Sequence, residues 1–403
     1  MTISKPSLRD ALSVAEGLLT EARRQDFCGY DPFDGLNSSL FAKFGLDHLP
    51  FARIAWLQFH KRSIVNIRSL VGVEKRRNPK GIALFVAGLL ERHRAAATGT
   101  DLDEAISLGD WLLAARVDRR VWKNSAWGYH FDWAARAFYV PRGKPNAITT
   151  CYVANALYDL GVSSGLARFT EAAVDSGYFL DSLRVSVADG DYYAYIPGEL
   201  AFVHNASLWT AAMVAKASTY IGDSAMRERA RRVSRLSVSM QRPDGAWAYG
   251  TRSHHQFIDG FHTGYNLEAL QLLQDVLGID EFDPAIDRGM DYYRSNFFLP
   301  DGTVKYYHDR IWPLDTHSVA QAVVTLVKVG RTIRDRALAD QVVAQALTTL
   351  YMPERRRFVY QKWRYLTNRI DYLRWTQAWA FYALSLHTSN QQNNRGRILN
   401  ESY

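Results

Sequence analysis

Three histidines stand at equivalent places in this chain, each opening an apolar helix: His204 in HNASLWTAAMVAKA, His262 in HTGYNLEALQLL and His317 in THSVAQAVVTLV. Imidazole titrates near neutrality, so a histidine held at a helix start suits proton transfer. A single buried histidine there is more often structural, but three equivalent ones argue for function. His262 has the densest polar surroundings, with Asp259 just before it and Thr263, Tyr265, Asn266 and Glu268 within two helical turns. In Asp315-Thr316-His317 the carboxylate either supports the imidazole or serves as the N-cap of its helix. Asp132 in WGYHFDW joins Asp259 and Asp315 as a candidate acid/base set, since glycoside hydrolysis needs two carboxylates at a defined separation. Arg374 takes the histidine's place in a further repeat. It suits bidentate binding of a uronate carboxylate, or else a salt bridge to Asp371. Histidine, tyrosine and arginine together supply what proton abstraction beside a carboxylate requires: a base, an acid and a cation.

The chain carries 11 Trp and 22 Tyr in 403 residues, more than packing usually requires. Trp127, Tyr129, Trp133, Trp247, Tyr249, Tyr265, Tyr306, Trp312 and Trp375 are candidates for stacking on sugar faces, with core filling as the alternative. Tyr307, beside Tyr306 and His308, adds a hydroxyl able to donate a proton; alternatively these residues are the two faces of one hairpin. His254, His255 and His262 lack metal-ligand spacing, so no metal is expected. Rossmann, P-loop and GxSxG patterns are absent, so no cofactor is expected. Asp101-Leu102-Asp103-Glu104 lacks the paired terminal aspartates of an acidic cyclase motif and suits a helix start.

The elements that must position these residues follow from a repeat. Thr149, His204, His262, His317 and Arg374 recur every 55 to 58 residues, the length of a helix pair with its loop. The helices they open are apolar nearly all round and read as inner helices. The amphipathic segments 164–180, 223–240, 280–297 and 333–352 read as outer ones. Position 79 opens a further inner helix whose partner is 101–117. Six inner helices suffice to close a ring. Aromatic loops with Asp-Gly turns, such as QRPDGAWAYG and LPDGTVKYYHDRIWPLD, precede the inner helices and predict short hairpins crowded on one rim. Helix N-termini on that rim favour anionic ligands.

A net charge of +8 points to acidic partners. The arginines at 227, 229, 231, 232 and 235 read as a solvated outer face, whereas Lys75-Arg76-Arg77 is a candidate phosphate or carboxylate contact. Cys28 and Cys151 form no motif, which fits a reducing compartment. No signal-peptide pattern and no run of about 18 apolar residues occurs, so a cytoplasmic protein is expected.

The stretches YDPFDG, NPKGIALF, WGYHFDW with PRGKPNAITT, VHNASL, QRPDGAWAYG, IDGFHTGYNLEAL, DGTVKYYHDRIWPLDTHSVAQA and YLRWTQAWAFYAL resemble bacterial exopolysaccharide-cluster proteins labelled polysaccharide biosynthesis protein VpsJ. The resemblance spans residues 28 to 386 and implies an all-α fold, the α/α toroid of many carbohydrate-active enzymes. It implies a pathway and transfers no catalytic residue. The expected organisation is an N-terminal segment 1–78 packing on the ring, a toroid over 79–388 and a polar tail over 389–403. The expected function is exopolysaccharide biosynthesis on a sugar chain or lipid-linked repeat unit containing uronic acid, by C5-epimerase, lyase or glycoside hydrolase chemistry. The alternative is a non-catalytic glycan-binding or scaffold subunit. The expected partner is an acidic oligo- or polysaccharide or lipid-linked glycan, with peripheral contact to membrane assembly machinery and no nucleic acid.

Overall fold

The computed structural model describes residues 8–96, 99–134 and 139–400. Six helices rich in small and apolar residues form the inner ring: α4 (Pro79–Ala96), α6 (Ala147–Ser164), α8 (His204–Ile221), α10 (Gly260–Leu277), α12 (Thr316–Lys328) and α14 (Ala378–Asn400). Each packs on the next and α14 returns to α4, which closes the circle. The closure is tight. A Cβ on Gly88 of α4 would lie 2.5 Å from the Phe381 ring of α14, so only glycine lets these two helices approach so closely.

The outer helices are α1 (Leu8–Arg24), α5 (Gly99–Ala114), α7 (Ala167–Asp181), α9 (Ser224–Ser239), α11 (Asp283–Phe297) and α13 (Ile333–Thr349). The sixth pair joins the two ends of the chain: α1 packs on α14, with Val14, Leu18 and Leu19 in the same core as Phe381. The basic stretch of α9 lies on the outer surface, with Arg227, Arg232 and Arg235 exposed, and several of its arginines also pair with acids of neighbouring elements. Arg229 bridges to Asp181 at 2.7 Å, and Arg231 and Arg235 both reach Glu281.

Several inner helices start on polar caps, and three end on glycine. Asn146, Asp259 and Asp315 each accept a main-chain N–H of the first turn, while Gly165, Gly222 and Gly278 adopt left-handed φ of 71°, 77° and 64° at the C-termini of α6, α8 and α10. All the connections leading into inner helices reach one rim. There they form small antiparallel pairs: β1 (Trp133–Ala134) with β2 (Tyr139–Val140), β3 (Arg184–Val187) with β4 (Gly190–Tyr193), and β6 (Tyr351–Met352) with β7 (Arg357–Phe358). β5 (Leu314–Asp315), β8 (Gln361–Lys362) and β9 (Thr367–Asn368) make a three-stranded patch with β8 in the middle. The expected all-α toroid with short aromatic hairpins on one rim is the fold observed.

Two further short helices, α2 (Ser39–Lys43) and α3 (Pro50–Arg62), lie in the segment before α4 and lean over that rim. Leu36, Phe41 and Leu57 form a small core there with Ala134. No helix among the described residues is long and apolar enough to cross a membrane.

Candidate functional site

The rim surrounds a cavity of about 410 Å³, within the range of small-molecule sites. Its chemistry begins with the cap of α10. One oxygen of Asp259 accepts the His262 N–H at 2.8 Å, and the other lies 2.7 Å from His262 Nδ1. A carboxylate on Nδ1 fixes the tautomer, so Nε2 keeps its lone pair. Asp259 is buried while His262 retains some exposure and lines the cavity, so the carboxylate orients an imidazole that a ligand can reach.

Beside this pair lies a second. Tyr265, one turn further along α10, is hydrogen-bonded through its hydroxyl to His317 Nε2 at 2.5 Å. The His317 ring is sandwiched between Phe261 and Trp379, with centroid distances of 4.9 and 4.6 Å. Burial, reinforced by the charges of Lys80 and Arg374, drives the His317 pKa well below its ordinary value, and burial raises that of Tyr265. The pair is therefore a neutral imidazole and a protonated phenol. Ring centroids of Tyr265 and the two histidines are 6.0 and 5.9 Å apart, so Tyr265 is about equally near to both.

Lys80, at the start of α4, is the functional group that the sequence analysis did not select. Its ammonium nitrogen lies 3.5 Å from the Tyr265 hydroxyl and 4.0 Å from the centroid of Tyr152, with the Trp379 ring at 5.2 Å. Burial, with the nearby Arg374 charge, lowers its pKa well below the usual lysine value. The available signal was position: Lys80 follows Asn78, whose side chain accepts the Lys80 N–H at 3.0 Å, and so occupies the same first turn as the residues of the other inner helices. Asn205 was missed in the same way. It lines the cavity, and its buried Oδ1 has no hydrogen-bond partner among the described residues.

Arg374 also reaches the cavity wall, but its partner is Asp31 rather than Asp371. The two form a bidentate pair at 2.5 and 2.8 Å, both buried. Burial opposes the guanidinium charge; Asp31 overcomes this and keeps it protonated. Asp371 instead faces Arg357 at 3.4 Å. Asp31 comes from the YDPFDG stretch, whose second aspartate, Asp34, holds the buried Arg68 at 2.6 Å.

Of the remaining candidates, Tyr129, Trp133, Tyr249, Tyr306, Tyr307 and Trp375 line the cavity with the residues above. Phe33 and Lys61 close it from the N-terminal segment, Lys61 lying 5.0 Å over the Phe33 ring. Trp127 and Trp247 do not face it. Their indoles donate to the Leu112 and Ser237 carbonyls, at 2.8 and 2.9 Å, near the C-termini of α5 and α9 where carbonyls lack helical partners. Trp312 sits on the outer rim beside Trp363 and Tyr365. Asp132 accepts the Arg142 N–H at 2.7 Å outside the cavity. Asp315 is a buried cap that accepts from the Ser318 N–H and from Gln361 at 3.1 and 2.8 Å, with its pKa raised by burial to about 6. Glu268 is engaged by Gln321 and Lys328, each at 3.0 Å. Among the described residues no three His, Cys, Asp or Glu side chains converge as a metal site.

His204 turns away from the cavity, its Nδ1 3.4 Å from Ser237 Oγ on the outer helix. Burial depresses its pKa to about 4. A histidine kept neutral in the fold contributes stability above its unfolded pKa near 6.5, and that contribution is lost as pH falls from there toward 4. The full difference is about 3 kcal/mol. His204→Gln should flatten the fall in denaturation midpoint between pH 7 and pH 5. An unchanged pH slope would mean that His204 is not the buried neutral group described.

No family model and no curated protein matches the chain. Solved structures do. An unsaturated glucuronyl hydrolase from Bacillus sp. GL1 aligns at 11% identity and TM-score 0.62 over 94% of this chain and 96% of its own. A cellobiose 2-epimerase from Bacillus thermoamylovorans aligns at 9% and 0.61 over 78% and 88%. A GH76 α-mannanase from Bacteroides thetaiotaomicron aligns at 11% and 0.57 over 79% and 87%. At these identities the likeness establishes the shared α/α-toroid fold.

Proposed function

We propose that this chain is a carbohydrate-active enzyme that transfers a proton at the sugar carbon next to a uronate carboxylate, as an epimerase or a lyase. The observation that carries the proposal is the pairing of Asp259–His262 with Tyr265–His317 side by side in one aromatic cavity. His262 Nε2 is the base. Tyr265 is the acid, Lys80 Nζ beside its hydroxyl is placed to donate a hydrogen bond to the phenolate, and Arg374, held protonated by Asp31, is the fixed cation at the cavity wall. Reprotonation on the opposite face gives the epimer; loss of the C4 substituent gives an unsaturated sugar.

Hydrolysis by two carboxylates is less well supported, because Asp259 is the one carboxylate lining the cavity among the described residues, and it is committed to His262. The aromatic walls suit sugar faces, and the lysines, Arg374 and the helix starts suit an acid substituent. The names of the structural neighbours, an epimerase and a glucuronyl hydrolase among them, agree with a sugar substrate. The loop resemblance supports exopolysaccharide production as the setting and a polymer or lipid-linked repeat unit as the molecule acted on.

The test is incubation with uronate-containing oligosaccharides in deuterated water, followed by NMR and mass spectrometry. Deuterium at C5 is the result expected of an epimerase, and a new C4–C5 double bond, which leaves no hydrogen on C5, is the result expected of a lyase. New reducing ends with neither deuterium at C5 nor an unsaturated end would replace the proposal with hydrolysis. Saturable binding without any product would replace it with a glycan-binding scaffold.

A further inference from the structure

A second concavity, a groove of about 1150 Å³, runs outside the rim between residues 75–77, the C-terminal end of α5 and the turn at 141–144. Its charge is lopsided. Lys75, Arg76, Arg77, Arg116, Arg142 and Lys144 line it against Asp26 and Asp118. Both acids are already engaged, Asp26 by Arg77 and Asp118 by Arg120, while Arg76 is held by Glu74. Lys75 and Arg116 bond only neutral oxygens, those of Gln25 and Leu113 at 2.9 and 2.8 Å among others, and Arg142 is an exposed turn residue. The groove therefore presents cationic groups with no acid of the protein to neutralise them among the described residues.

Two further features say what kind of anion suits it. Trp111 and Trp122 add indole rings to the walls, with Arg77 stacked 5.5 Å from the Trp111 centroid. Tyr129 lines both this groove and the central cavity, so the two adjoin at that residue. A cavity of about 410 Å³ encloses only a short piece of any polymer, and the rest must leave along the rim. Separated cations with interleaved aromatic rings match a strand in which carboxylates alternate with flat sugar faces.

We propose that this groove holds the flanking sugars of an acidic polysaccharide whose reacting residue occupies the cavity. The inference rests on the reading of the cavity as a sugar site and extends it from one sugar to a polymer. It assigns to the Lys75-Arg76-Arg77 segment, and to Arg142 and Lys144 opposite, the task of gripping chain that is not itself transformed.

The experiment is calorimetric titration of the full chain with a glucuronate disaccharide and a glucuronate decasaccharide, for the wild type and for the double variant Arg142→Glu with Lys144→Glu. The wild type should bind the decasaccharide about tenfold or more tightly than the disaccharide. Charge reversal should bring that ratio toward one, and so should raising the salt concentration. If the disaccharide binds and is turned over but length brings nothing, the groove proposal fails and the cavity reading stands. If neither oligomer binds, both fail together. A ratio untouched by charge reversal would also overturn the groove, as would tighter binding of a single-stranded RNA decamer than of the decasaccharide.

Discussion

Replacing His262 with alanine should lower turnover by about 10²–10⁴-fold, the usual worth of a positioned general base, while leaving the fold and ligand affinity close to wild type. The reason is the division of labour at Asp259. One of its oxygens caps α10 through the main-chain N–H of residue 262, at 2.8 Å, and that bond does not depend on the side chain there. The other oxygen lies 2.7 Å from the imidazole, which it orients and whose protonated form it stabilises. Asp259→Asn separates the two tasks chemically. Asparagine caps helices about as well as aspartate, so thermal stability should hold. The amide cannot supply the negative charge that stabilises an imidazolium, and turnover should fall nearly as far as in His262→Ala. Measured kcat, KM and melting temperature for both variants decide the matter. Wild-type turnover in His262→Ala would remove this residue from the mechanism, and loss of folding in Asp259→Asn would make its role structural.

The same cap explains why parts of the site were legible in the sequence and others were not. Asp259 and His262 stand three residues apart, the spacing at which a residue in the first helical turn reaches back to its cap. Asp315 and His317 stand two apart. There the carboxylate caps α12 and the imidazole turns instead to Tyr265 on the neighbouring helix, a contact between residues 52 apart that no local pattern encodes. The inner helices posed a harder problem. Apolar all round, they give no phase from which to tell which residue of the first turn faces the centre. That is why His204 points outward to Ser237 and its neighbour Asn205 lines the cavity. The aromatic loops divide by a rule that is visible only afterwards: in WGY and WAY the tryptophan seeks the unpaired carbonyl near the end of an outer helix, and the tyrosine two residues on lines the cavity. The repeat period located five inner helices, and the apolar run opening at position 79 located the sixth. Neither paired α1 with α14, since that contact joins the two ends of the chain and lies outside any forward spacing.

That junction bears on the second large effect expected. Asp31→Ala should cost about 3–5 kcal/mol of stability, because it leaves the Arg374 guanidinium buried without its counter-charge. Asp31 precedes the first inner helix and Arg374 opens the last. Their bond ties the N-terminal segment to the final repeat at the cavity wall, where Phe33 and Lys61 from that segment also arrive. Removing both charges together, as Asp31→Leu with Arg374→Met, should recover much of the loss, since no unpaired ion then remains. The double-mutant cycle by chemical denaturation separates this account from simple loss of packing, for which the two single losses would add. Activity supplies an independent measure. If Arg374 acts mainly as the anchor that seats Asp31 and Phe33, the double variant folds and keeps turnover. If its fixed positive charge also draws the substrate carboxylate into the cavity, the double variant folds but KM for a uronate substrate rises, while a neutral sugar of the same shape is bound unchanged.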